Sequence, residues 1–292
     1  CPVLINPGDT VITDSFVYGG TLNTLRRHFA DIRGVDSDDR GMDPEKLDAV
    51  IGEAIKSGRK PKFVYLIATF QNPQGWTIPE ERRKELLAVT QKHGVPILED
   101  DCYADNRYDG ELPTSIANLD DTNSVMYVGS FSKTIAPGMS LGYMTAPKLI
   151  LDRAMGVKSG RVSEFTAMAV EKYARKYLDA HIEEINSIQR TKRDAMLAAL
   201  GENFGTSAEW SNPDGGLYIW VKLKEGSDIV ALNQRSVSEI DVGFHPGTNY
   251  SPSGKTGQDH IRLCYGYNEP EDITEGISRL ASFLHKEGVL DS

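Results

Sequence analysis

Three short apolar runs each end in residues capable of chemistry. "KFVYLIA" (62–68) is followed by "TFQNPQG", "VPILE" (95–99) by "DDCY", and "SVMYVG" (124–129) by "SFSK". Runs this short and this rich in β-branched and aromatic residues read as buried strands. Ligands of open parallel sheets gather at the carboxyl ends of the strands, so one rim would carry Asn72, Asp100, Tyr103, Ser130, Ser132 and Lys133. Each has a plainer reading when taken alone. A lysine after a strand is a solvated loop residue, "NPQG" is a turn, and Tyr103 is packing. "EDD" is a solvated loop or a divalent-metal cluster of Glu99, Asp100 and Asp101.

Together they match the needs of one cofactor. Pyridoxal 5'-phosphate requires a lysine to hold it as a Schiff base, a carboxylate for its ring nitrogen, donors for its phenolic oxygen and hydroxyls for its phosphate. Lys133, Asp100, Asn72 with Tyr103, and Ser130 with Ser132 supply these in order. A buried carboxylate tends to protonate, but opposite a pyridinium it stays ionised.

The elements that must position these groups alternate along the chain. Helical segments "DPEKLDAVIGEAIKSG" and "TIPEERRKELLAVTQKHG" lie between the apolar runs, each with a proline near its start and a glycine at its end. With "TVITDSF" (10–16) as a further strand, the pattern predicts βαβ units and a mostly parallel sheet covered by helices on both faces. From Ser163 to about Leu200 no Pro or Gly interrupts a long helix, with Ile182, Ile185 and Ile188 at near-helical spacing. "GGLYIWVKL", "DVGFHPG" and "HIRLCYGY" then read as strands and "EPEDITEGISRLASFLHKEG" as a closing amphipathic helix. The expected organisation is a large domain over 1–165, a bridging helix over 166–200 and a small α+β domain over 201–292.

Composition narrows the classes of function. The 292 residues are 39% hydrophobic and 25% charged, with a formal net charge of -10 and a pI near 5.2. That balance argues against a nucleic-acid partner, which needs a basic face. Cys1, Cys102 and Cys264 are widely spaced and odd in number, so the expectation is a reducing, cytoplasmic setting without a disulfide framework. No apolar run approaches membrane-spanning length. The six histidines have no ligand spacing such as HExxH, so no metal is expected.

"SFSKTIAPG", "FQNPQG" and "EDDCY" resemble the lysine motif, the Asn-Pro-x-Gly element and the Asp-x-x-Tyr of fold type I aminotransferases of class I. The resemblance extends over essentially the whole chain and is strongest to the branch of 2-aminoadipate, kynurenine and aromatic amino acid aminotransferases. That branch also includes the aminotransferase-like domains of certain bacterial regulators. The resemblance implies a three-layer α/β sandwich of the PLP-dependent transferase type with a smaller C-terminal α+β domain, and a homodimer. It also implies that Tyr18, in "NPGDTVITDSFVYGGTL", stacks on the cofactor ring, and that Arg262, in "HIRLCYGY", grips the substrate α-carboxylate alongside Asn72. Placement of Arg262 inside an apolar run favours that bidentate role over a surface ion pair. The implied reaction moves an amino group from an amino acid of the 2-aminoadipate, aromatic or branched-chain type to a 2-oxo acid such as 2-oxoglutarate, with Lys133, Asp100 and Tyr103 catalytic.

Ser140 breaks the pattern. Family members usually carry there an arginine that clamps the cofactor phosphate, whereas serine offers one hydrogen bond and no charge. The family's upstream portion, with a phosphate-holding loop at a helix start and an edge strand of the sheet, also has no counterpart. Cys1 at the first position favours a piece of a longer enzyme over a naturally short, divergent form. Either way, cofactor affinity below the family norm is expected. The alternatives are a non-catalytic sensor domain, another reaction of the same cofactor such as decarboxylation or β-elimination, and the metal-dependent enzyme built on Glu99, Asp100 and Asp101.

Overall fold

The computed structural model describes residues 3–158, 160 and 162–291; Cys1 lies outside them. In chain order the elements are β1 (Thr10–Asp14), α1 (Gly19–Arg27), β2 (Asp31–Val35), β3 (Ser37–Asp38), β4 (Gly41–Met42), α2 (Pro44–Lys56), β5 (Val64–Leu66), α3 (Glu80–His93), β6 (Ile97–Asp100), α4 (Ile116–Leu119), β7 (Val125–Ser130), β8 (Gly142–Thr145), α5 (Lys148–Val157), α6 (Glu164–Phe204), β9 (Glu209–Trp210), β10 (Tyr218–Lys222), α7 (Ile229–Ile240), β11 (His245–Pro246), β12 (His260–Cys264) and α8 (Pro270–Lys286). Six strands form the main sheet in the order β2-β1-β5-β6-β7-β8, parallel except for β8, which runs antiparallel to β7.

Strand alternation sends successive side chains to opposite faces and so splits the core in two. Ile12, Val64, Leu66 and Ile97 pack toward α2 and α3. Val11, Phe63, Tyr65 and Ile67 pack on the other face with Leu22 and Leu25 of α1. Each such fully buried side chain contributes about 1.5–3 kcal/mol. Local signals end the helices where the sequence indicates. Asp43 caps α2 by accepting from the amides of Glu45 and Lys46, and Gly94 ends α3 at φ 58°, a left-handed conformation that glycine adopts without steric cost.

The second sheet is antiparallel, ordered β11-β12-β10-β9, and shares a core with α7, α8 and the last turns of α6. Helix α6 continues through Gly201 to Phe204, because Leu200 and Phe204 are buried in that core and hold the final turn. Its buried face is Val170, Met196, Ala199, Leu200 and Phe204 rather than the Ile182–Ile188 stripe, and Ile188 is exposed. The strand expected over "DVGFHPG" reduces to His245–Pro246, since Pro246 lacks an amide for the ladder and a 3-10 turn follows at Gly247–Tyr250. β2 has no forerunner in the sequence reading, because "DIRGV" is too polar to stand out.

Candidate active site

Two of the rim residues, Asn72 and Tyr103, touch directly. Asn72, on the loop that follows β5 and 1% exposed, donates Nδ2–H to Tyr103 Oη at 3.3 Å. Its Oδ1 accepts from Arg262 Nη1 at 3.0 Å, a bond that joins the main sheet to the second. Arg262 stands mid-strand in β12, opposite Trp220 of β10 and His245 of β11. Its guanidinium lies between two phenol rings, 4.0 Å from the centre of Tyr218 and 5.0 Å from that of Tyr250. Tyr218 Oη in turn lies 3.5 Å from Tyr103 Oη. Burial pushes the phenols of Tyr103, Tyr218 and Tyr250 above their ordinary value, so all three keep their protons.

Arg262 is 8% exposed, its Nε has no hydrogen-bond partner, and among the described residues no carboxylate pairs with it. A buried cation without a counter-ion is costly unless something supplies the anion. The guanidinium borders a cavity of about 770 Å³ shared with Tyr18, Arg26, His245 and Tyr250. That geometry is suited to a carboxylate ligand.

Asp100 borders a second cavity, of about 470 Å³, lined also by Tyr18, Thr21, Tyr65, Leu98 and Val128. Burial raises its carboxyl above the usual range, opposed by hydrogen bonds from Tyr65 and Cys102. The neighbouring acids turn elsewhere, as strand alternation requires. Glu99 accepts from the amides of Ile116 and Ala117 at 2.9 Å each, and Asp101 accepts from Tyr127 Oη at 2.9 Å. The three acids of the "EDD" run therefore do not converge on a common point, which removes the geometric basis of the metal reading.

Lys133 lies beyond the end of β7, next to β6 in the sheet. Its ammonium charge reaches the Cys102 thiol, lowering a value that burial and Asp100 push far up. The turn that carries it is tied by the Ser132 amide donating to Ser130 Oγ at 3.1 Å and by Thr134 Oγ1 donating to Asp105 at 3.1 Å. Among the described residues Lys133 Nζ has no hydrogen bond or ion pair. Tyr18 immediately precedes α1 without a side-chain capping bond, is 44% exposed and borders both cavities. Its ring lies against Gly20, where a Cβ would come within 2.5 Å of it. Ser140 is exposed, at φ 47° just past the Pro137–Met139 turn.

These residues fit pyridoxal phosphate at the ring: an acid beside a cavity, an aromatic bordering the same cavity, a buried amide–phenol pair and an unpaired amine. For the phosphate, they offer two hydroxyls. Sequence reasoning missed Tyr65, Tyr218, Tyr250 and His245. Alternation within "KFVYLIA" and "GGLYIWVKL" places Tyr65 and Tyr218 on the faces that carry Asp100 and Arg262 only once the strand pairing is known.

The family model for aminotransferase class I and II matches residues 1–280. An aromatic-amino-acid aminotransferase of Thermococcus litoralis is 35% identical over 289 residues, which is 98% of this chain and 69% of that protein. The crystal structure of Pyrococcus horikoshii kynurenine aminotransferase with PMP, its substrate and its product superposes with a TM-score of 0.92 at 34% identity, over 98% of this chain and 71% of that one. Thermus thermophilus alpha-aminoadipate aminotransferase, complexed with N-(5'-phosphopyridoxyl)-L-leucine, superposes with a TM-score of 0.90 at 28% identity, over 98% and 73%.

Proposed function

The chain belongs to the aminotransferase class I and II family, and from that premise we propose that Lys133, Asp100, Asn72, Tyr103 and Arg262 carry its amino transfer. It is an enzyme whose cofactor is pyridoxal phosphate and whose substrates are amino acids and 2-oxo acids. When bound, the cofactor supplies a carbonyl for amine capture and a ring that takes up electrons released at the substrate's Cα.

The observation that carries the assignment is Arg262, a buried guanidinium without a counter-ion, bonded to Asn72 at the wall of a cavity. It receives the α-carboxylate of donor and acceptor alike. Asn72 and Tyr103 hold the cofactor's phenolic oxygen, Asp100 its ring nitrogen, Ser130 and Ser132 its phosphate, and Tyr18 covers the ring. Lys133 Nζ anchors the cofactor and, once free, takes the proton from substrate Cα and later returns it. The cofactor residues fall in the domain expected over 1–165 and Arg262 in that over 201–292, with the helix over 166–200 between them. Donors of the 2-aminoadipate, aromatic or branched-chain type, with 2-oxoglutarate as acceptor, are supported by the names of the relatives. Homodimerisation and a cytoplasmic setting belong to the same proposal. No described helix is long and apolar enough to cross a membrane.

A screen of amino donors against 2-oxoglutarate, repeated with Lys133→Ala, tests the assignment. We expect transfer to fall at least ~10³-fold in the variant, with loss of cofactor absorbance that borohydride can fix in the wild type. Undiminished transfer by Lys133→Ala would remove the lysine from the mechanism.

A further inference from the structure

Asp100 does not face its cavity unsupported. Tyr65 donates Oη–H to Asp100 Oδ2 at 2.6 Å, a length typical of hydrogen bonds to ionised carboxylates. The two side chains project from one face of the neighbouring parallel strands β5 and β6, where Tyr65 pairs with Leu98, two residues before Asp100. The phenol is 3% exposed. Burial, reinforced by the negative charge of Asp100, holds it far above its ordinary value, so the tyrosine is the donor. Thr21 of α1 lines the same cavity as this phenol. The Tyr65 hydroxyl on β5 thus fixes the carboxylate before any ligand arrives.

Resting on the cofactor reading above, we propose that Tyr65 is a positioning residue whose hydroxyl orients the Asp100 carboxylate toward the cavity for the cofactor's ring nitrogen. A half-buried carboxylate with fewer donors takes up a proton more readily and turns more freely. In either case its attraction to a protonated ring nitrogen weakens. Tyr65 acts through Asp100 and not on the reacting atoms.

The test uses Tyr65→Phe, which keeps the ring and its packing, in the purified chain freed of cofactor. Its affinity is measured for pyridoxal phosphate and for the analogue in which carbon replaces the ring nitrogen. Loss of one hydrogen bond to a charged group should weaken the natural cofactor about ten-fold and leave the analogue unchanged. In an Asp100→Asn background, Tyr65→Phe should add no further selective loss. Equal weakening of both compounds would mean that Tyr65 only shapes the pocket, and no change in either would mean that it does nothing for Asp100; both overturn the proposal. Should the wild-type chain bind neither compound, the cofactor reading itself fails and the role of Tyr65 goes with it, a result distinct from either of the others.

Discussion

Around the rim, the carboxylate end and the amine end are built by different means. At the first, Arg262, Asn72, Tyr103 and Tyr218 are each less than a tenth exposed and contact one another across two sheets. At the second, Ser130 at the end of β7 and Ser132 and Lys133 on the following turn are half-buried, the turn is tied through Ser130, Asp105 and Asn106 without any bond to the Lys133 amine among the described residues, and Ser140 beyond it is exposed. Side chains locked by mutual contacts have already lost their conformational freedom, so a ligand arriving there does not have to order them. The carboxylate end is therefore preorganised, and most changes to it should lose function. The amine end has unused capacity, and a well-chosen change there should gain affinity.

Arg262 gives the largest expected effect. Replacing it with Gln should lower kcat/KM on the order of 10²–10³-fold for amino donor and 2-oxo acid alike, since both present the same carboxylate and a buried charge pair is lost. Lysine should restore little, because a point charge cannot reproduce the fork that Asn72 and the flanking phenols hold in place. A fall of less than three-fold in steady-state kinetics would place the carboxylate elsewhere and remove the basis of the contrast.

The extent to which this site was legible in the sequence follows the same division. The runs at 62–68, 95–99 and 124–129 became β5, β6 and β7, and Asn72 and Tyr103 from beyond two of them do meet, because strand polarity fixes which end of a parallel sheet is the rim. The caps of α2 and α3 were readable because Asp-Pro and Gly act locally. The links from Tyr65 to Asp100 and from Arg262 to Asn72 were not. They depend on which strands become neighbours and on how the second sheet meets the first, and neither is encoded in any short window. Arg262 emerged from family resemblance, while Tyr218 and Tyr250, which flank it, had no motif to mark them.

Asp14 tests how firmly the preorganised end is founded. It sits fully buried at the end of β1, where Ser37 Oγ donates to Oδ1 at 2.9 Å and Oδ2 has no partner. Gln71, next to Asn72 in sequence, donates its Nε2–H to Phe16 O instead, so burial prevails over the Ser37 bond and raises the Asp14 carboxyl to about 7. Between the ordinary value of 3.8 and about 7 the folded chain holds a proton that the unfolded chain has released. Stability contributed by this group is thus complete below that window and lost as pH climbs through it. The loss should be on the order of 3–4 kcal/mol by pH 8. Asp14→Asn cannot ionise, so urea denaturation at pH 5 and pH 8 should show that variant losing less than the wild type. Equal losses would mean that Asp14 is already ionised in the fold.

Ser140 offers the smallest effect and the one opposite in sign. Its backbone already occupies the left-handed region at φ 47° with a Cβ in place, so arginine adds no strain beyond what serine bears. The side chain is exposed on the turn that follows Lys133. A guanidinium there could add a charge-assisted bond to a phosphate otherwise held by Ser130 and Ser132. Ser140→Arg should tighten pyridoxal phosphate about ten-fold, leave unphosphorylated pyridoxal unchanged, and lose part of the gain as salt is raised. Equal tightening of both compounds would show the arginine acting on the ring or on the fold. No change in either would show that the phosphate lies out of reach of position 140, and the amine end would then have no spare capacity at that point.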